Sequence, residues 1–298
     1  MDGPTLLKAS SKMILESDEG IRLLGYYAPQ PEGRQAKATV LLLHGWLGSA
    51  NSNYIIALGE YLFNRGYGVF RLNLRDHGGT YGLNPGPFRS DRLDEVFNAT
   101  EQIARLNNTV PLHIVGASLG GNFALRLAWR SQSAISNLGT TIAICPALDP
   151  HKITLALDNS RLYLGYFRHK WRKSFQVKQV TFPDLYDFSE EMAASSCMEM
   201  TEVYVRNHSP YPDAAGYFRN YTVTPEMMSA VSSPIVMLTA ADDPIIPIVD
   251  FEVFRGLSPR VQVSIQPHGG HVGFFDIFPF RFWTNEAIGM ILNGGGSP

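Results

Sequence analysis

The stretch Ile114-Val115-Gly116-Ala117-Ser118-Leu119-Gly120-Gly121 constrains this chain more than any other. An apolar run ends in Gly-x-Ser-x-Gly, and Asn122 to Trp129 then has the composition of a helix. A strand that passes straight into a helix through a serine flanked by small residues is the setting of a nucleophile elbow. The turn strains the serine backbone, so the positions two residues away must be small. Gly116 and Gly120 meet that need, and Gly121 lets the helix pack close to the sheet.

The rest of the chain alternates apolar runs with amphipathic segments, which implies an α/β fold with a mostly parallel central sheet and helices on both faces. Strands are expected at 13–17 and 21–27 as a hairpin, then at Thr39–Leu43, Gly68–Leu72, 113–115, 140–145, 235–239 and 261–265. Helices are expected at 53–65 with Gly66 as C-cap, at 92–106 capped by Ser90 or Asp91, and at 280–292. Between 149 and 224 the rhythm fails, and the segment is aromatic and mixed in charge. Helices at 163–178 and 189–204 are expected there. An insertion at that point lies at the carboxyl edge of the sheet, where α/β proteins keep their sites. Residues 149–224 are therefore expected to form a helical cap on a core of 1–148 and 225–298.

Composition narrows the partners. With 17% charged residues and a formal net charge of −2 over 298 residues, nothing points to nucleic acid. Cys145 and Cys197 lie far apart, which suits a reducing, cytoplasmic setting, with a disulfide between them left open. No segment approaches the ~20 apolar residues that span a bilayer, and Met1-Asp2-Gly3-Pro4 lacks the basic start and apolar block of a secretory signal. The tail Gly294–Pro298 is expected to be disordered. Oligomeric state is not legible.

An acyl-transfer serine needs a base, an acid that orients the base, and oxyanion donors. Asp242 and Asp243 follow one apolar strand, and His268 and His271 lie in the glycine-rich loop after the next. Upstream, Leu43-His44-Gly45-Trp46-Leu47-Gly48 ends another strand, and Gly45 allows the turn to present the Trp46 N–H. The Leu119 N–H is the second expected donor.

These motifs, in this order, resemble the α/β-hydrolase superfamily: His44-Gly45-x-x-Gly48, Asn73-Leu74-Arg75-Asp76-His77-Gly78, Gly116-x-Ser118-x-Gly120-Gly121, Asp242-Asp243-Pro244 and Gly269-Gly270-His271. Gly120-Gly121-Asn122, Asp-Asp-Pro and Gly-Gly-His-Val-Gly-Phe look like its YheT-like branch. The resemblance implies the α/β-hydrolase fold, a carboxylesterase or lipase activity, and Ser118, Asp243 and His271 as the triad. It ranks Asp243 above Asp242 and Asp149, and His271 above His268. Asp76 departs from the family's small residue between Arg75 and His77. The expected substrate is a small-molecule ester with an apolar acyl part; acyl transfer, thioesterase or peptidase specificity, and a non-catalytic binding role are the alternatives.

His44 is expected to order its loop by hydrogen bonding, and His77 to belong to a surface turn. Neither is read as a metal ligand, because no His/Cys/Asp cluster has coordinating spacing along the sequence; no metal or organic cofactor is expected. The glycines lack both the Walker ending and the dinucleotide pattern. Arg168 to Lys173, basic among aromatics, is read as the solvated face of a cap helix in preference to a membrane-surface helix.

Overall fold

The computed structural model describes residues 4–131, 134–277 and 280–294. Helix α1 (Thr5–Ala9) leads into a hairpin of β1 (Ser11–Glu16) and β2 (Arg22–Ala28). There follow β3 (Thr39–Leu43), α2 (Asn53–Phe63), β4 (Gly68–Leu72), α3 (Leu93–Leu106), β5 (Leu112–Ala117), α4 (Leu119–Arg130) and β6 (Leu138–Ile144). Six helices come next: α5 (Pro150–Asn159), α6 (Arg161–Thr181), α7 (Ser189–Ala193), α8 (Cys197–His208), α9 (Ala214–Arg219) and α10 (Pro225–Ser229). The chain ends with β7 (Ile235–Ala240), a 3-10 segment (Ile248–Phe254), β8 (Val261–Gln266), the short pair β9 (Phe275–Ile277) and β10 (Phe280–Phe282), and α11 (Trp283–Leu292).

Eight strands form one sheet in the order β1-β2-β4-β3-β5-β6-β7-β8. The pairings β1–β2 and β2–β4 are antiparallel and the others parallel. Strands β3, β4, β5 and β7 are buried along their whole length, as expected where helices cover both faces. Alternate residues of β3 serve opposite layers, following the two-residue period of a strand. Val40 and Leu42 pack with Leu58 and Leu62 of α2, whereas Leu41 and Leu43 pack with Phe97 of α3 and Phe123 of α4. Because β3, β5, β6, β7 and β8 run the same way, the loops leaving them meet at one edge.

Three local expectations are corrected. Neither Ser90 nor Asp91 caps α3 with its side chain: Asp91 binds the Arg89 guanidinium, and the Leu93 N–H donates to the Asp91 carbonyl at 2.7 Å. The helix expected at 189–204 is interrupted. The Asp158 carboxylate accepts from the N–H groups of Cys197 and Met198, and Ser196 caps Glu199, so α8 starts afresh at Cys197. Residues 280–282 pair with β9 as a strand, and the closing helix begins at Trp283. Gly66, at φ +90°, ends the turn after α2 as expected. Residues 295–298, where the tail reading falls, lie outside the described residues, as do 1–3. Among the described residues no helix is long and apolar enough to cross a membrane.

Candidate active site

Ser118 sits between β5 and α4 at φ 53°, ψ −118°, a left-handed conformation that costs a non-glycine residue strain energy. Its N–H donates to the Ile144 carbonyl at 2.8 Å, which ties the turn to β6. The neighbouring glycines are forced by backbone approach. A Cβ on Gly116 would overlap the Gly120 carbonyl, one on Gly120 would overlap the Leu43 carbonyl, and one on Gly121 would lie 3.1 Å from Pro146.

The Ser118 hydroxyl lies 2.9 Å from His271 Nε2, and His271 Nδ1 lies 2.9 Å from Asp243 Oδ2. Asp243 follows β7 with its carboxyl fully buried, and its Oδ1 accepts from the N–H groups of Ile245 and Ile246 at 2.8 and 3.0 Å. Burial pushes its pKa up, but the His271 hydrogen bond and charge and these two amides outweigh burial and hold it below the ordinary aspartate value. The rivals lie elsewhere. Asp242 accepts from the Gly270 N–H at 2.8 Å and so anchors the loop that carries His271. His268 is 91% exposed and faces Asp242, while Asp149 caps α5 through the N–H groups of His151 and Lys152.

The turn after β3 lies against the serine: a Cβ on Gly45 would come within 3.3 Å of Ser118 Cβ. The Gly45 N–H donates to the Tyr54 hydroxyl at 2.8 Å, and Leu47 takes φ 57°. Trp46 and Leu119 line the same cavity as Ser118, and their N–H groups meet no acceptor among the described residues. The Trp46 indole stacks on Phe167 of α6 (centroids 5.4 Å apart) and meets Trp171 edge-on at 4.8 Å.

His44 orders this turn as expected: its Nδ1 donates to the Gly45 carbonyl and its Nε2 accepts from the Leu74 N–H. The surface-turn expectation for His77 is wrong. It is buried, donates from Nδ1 to the Arg75 carbonyl, and accepts the Leu47 N–H at Nε2 (3.0 Å), directly behind Trp46. Asp76 is buried too. Its carboxylate accepts from the Phe88 N–H and from Lys178 Nζ of α6, at 2.9 Å each. Asp76 thus fastens α6 to the core.

Burial lowers the His44 and His77 pKa values to about 3 and about 4. Both rings stay neutral in the fold but take a proton near 6.5 once unfolded. Their stabilisation is therefore complete above about pH 6.5 and is lost as pH falls towards 4. Between pH 7 and pH 5 each group loses about 2 kcal/mol. Asp76 has the opposite sign: burial raises it to about 6, so falling pH returns about 1 kcal/mol. Urea unfolding at the two pH values should show a net loss of about 3 kcal/mol from these groups; a midpoint that holds or rises would contradict it.

The cavity above Ser118 has a volume of about 630 Å³. Its walls combine the core turns with α5, α6, α8 and α9, and they are mostly aromatic and aliphatic; Tyr163, Phe167 and Trp171 of α6 point to it, so the aromatics of the basic segment pack inward. The fold also brings together a His/Cys/Asp group that is invisible along the sequence: ligand atoms of Cys145, Asp243 and His271 lie within 4.8 Å of one another. These donors do not suit a metal. His271 Nδ1 and Asp243 are bonded to each other, and burial, then Asp243, push the Cys145 thiol up to about 12, so it keeps its proton. Cys145 and Cys197 are both free and buried.

Residues 38–277 match the alpha/beta hydrolase fold family, and the chain belongs to it. It falls in the YheT-like branch of esterase- and lipase-type hydrolases. YheT of Escherichia coli, which is named as an esterase, is 24% identical over 88% of this chain and 78% of its own length. The human phospholipase ABHD3 is 24% identical over 85% of this chain and 62% of its own length. Among solved structures, the Pyrococcus furiosus esterase Pf2001 superposes with a TM-score of 0.61 at 15% identity, covering 99% of this chain and 96% of that one, a likeness of fold.

Proposed function

We propose that this protein hydrolyses carboxylic esters with an apolar acyl part through an acyl-enzyme on Ser118. The observation that carries this reading is the unbroken row from Ser118 Oγ through His271 to Asp243, opening into a largely apolar cavity. His271 Nε2 takes the Ser118 proton as Oγ attacks the carbonyl carbon, while Asp243 holds the tautomer with its proton on Nδ1 and stabilises the imidazolium. The Trp46 and Leu119 amides are free to receive the tetrahedral oxyanion. His271 then returns the proton to the leaving alcohol, and water activated by the same nitrogen releases the acid. Residues 149–224 act as the cap, and the core is 1–148 with 225–298. Two free thiols support a reducing, cytoplasmic setting.

A fluorophosphonate probe should label Ser118, and p-nitrophenyl esters of graded length should report the acyl pocket. Each buried methylene contributes up to about 0.8 kcal/mol, so kcat/KM should climb by as much as about fourfold per carbon until the cavity is full. A flat or falling series would contradict an apolar acyl site, and unlabelled Ser118 would contradict the nucleophile.

A further inference from the structure

We infer that Lys170 is an anion-recognition residue of this cavity, so that the preferred ester carries a carboxylate or phosphate beside its apolar part. The inference rests on the ester-hydrolase reading and narrows its substrate class. Apart from His271, Lys170 is the one ionisable side chain other than tyrosine on the cavity wall among the described residues. Its ammonium lies 4.8 Å from the centroid of the Tyr166 ring, which also lines the cavity. Three nearby cations are committed: Lys152 pairs with Asp250 and Asp149, Lys178 with Asp76, and Arg172 donates to the Ala194 carbonyl. Lys170 has no carboxylate partner among the described residues.

The surroundings sharpen its field. From Pro150 to Thr181 the chain carries seven Lys and Arg residues and one acid, Asp158, in a protein of net charge −2. The Asp158 carboxylate is occupied by the N–H groups of Cys197 and Met198, at 2.7 and 2.9 Å. Helix α6 itself carries six Lys and Arg residues and no acid; Lys178 pairs with Asp76 and Arg168 is drawn to Glu199, which leaves net positive charge along the cavity's border. Apolar walls weaken dielectric screening, so a substrate anion there is attracted more strongly than at an open surface. A lysine that merely rests its stem on an aromatic ring and keeps its head in water is the competing account.

The test compares matched esters: a p-nitrophenyl ester of a medium-chain acid against the same ester with a terminal carboxylate, and a monoacylglycerol against the corresponding acylglycerol phosphate. The readout is the ratio of kcat/KM, anionic over neutral, within each variant. From wild type through Lys170→Gln to Lys170→Glu the ratio should fall stepwise, by roughly tenfold overall at low salt, and the difference should shrink at about 0.5 M salt. The arm that shows the dependence identifies the anion's place in the substrate. Lys173→Glu, an exposed position that makes the same change in charge, should move the ratio by less than about twofold. Equal effects of Lys170→Glu and Lys173→Glu, or a ratio that neither moves in either arm, would overturn the inference. Ser118 labelling keeps the two levels apart. Labelled enzyme with an unchanged ratio sinks only the role of Lys170, whereas unlabelled and inactive wild type sinks the hydrolase reading and this inference with it.

Discussion

Replacing Ser118 or His271 with alanine is expected to lower kcat by about 10⁵–10⁶, with the double variant no worse than either single one. The two groups act as one device. In the proposed reaction Ser118 Oγ attacks only while His271 Nε2, 2.9 Å away, removes its proton, so loss of either should abolish the same step. Asp243→Asn should lower kcat by about 10⁴ with the fold intact. Its amide would donate to His271 Nδ1 in place of accepting from it, and the ring would be driven to the tautomer with its proton on Nε2. That nitrogen then has no lone pair for the serine. Asp242→Asn should be far milder, because that side chain reaches the loop amide of Gly270 and not the ring. Single-turnover kinetics with a p-nitrophenyl ester separate these outcomes; equal losses for Asp242→Asn and Asp243→Asn would refute the assignment of the acid.

The largest change in stability is expected from Lys178→Met. Lys178 and Asp76 have side chains only 2% and 4% exposed, and the ammonium also donates to the Tyr81 and Asn84 carbonyls at 3.1 and 2.7 Å. All three N–H groups are used. Without them the Asp76 carboxyl keeps only the Phe88 N–H, and two carbonyls lose their donor. Stranding one half of a buried pair costs about 3–5 kcal/mol, so the urea midpoint should fall accordingly. Combining Asp76→Asn with Lys178→Met should restore part of the loss, since no charge is then buried alone. A single variant as stable as wild type would show that the pair does not fasten α6 to the core.

Several features were legible because they are local or periodic. Thr39–Leu43, Gly68–Leu72 and the apolar run before Ser118 read as strands, since a parallel sheet under two helical layers needs no polar alternation. The spacing of Gly116 and Gly120 around Ser118 reflects a backbone approach so close that any side chain would collide. The loops that hold Asp242, Asp243, His268 and His271 could be placed at one edge because parallel strands deliver them there; it was the resemblance to the α/β-hydrolase family that ranked Asp243 and His271 above their neighbours. Asp76, His77 and Lys178 were not legible in the same way. A polar string of Arg-Asp-His-Gly reads as a surface turn, and its burial is decided by a helix that arrives about a hundred residues later. The break before Cys197 had a local signal in Ser196-x-x-Glu199, the pattern of a helix cap, but the carboxylate that occupies its first amides comes from distant Asp158.

What the order of residues determined by itself was the alternation of strand and helix, and with it a sheet edge carrying a strained serine, since short-range sterics and hydrophobic period are written in neighbouring residues. The tertiary structure alone decided which polar groups are buried, which cations keep a free charge, and how the aromatic wall closes over Ser118. Those outcomes depend on desolvation and on partners brought from distant segments, and neither is a property of any stretch of chain taken alone.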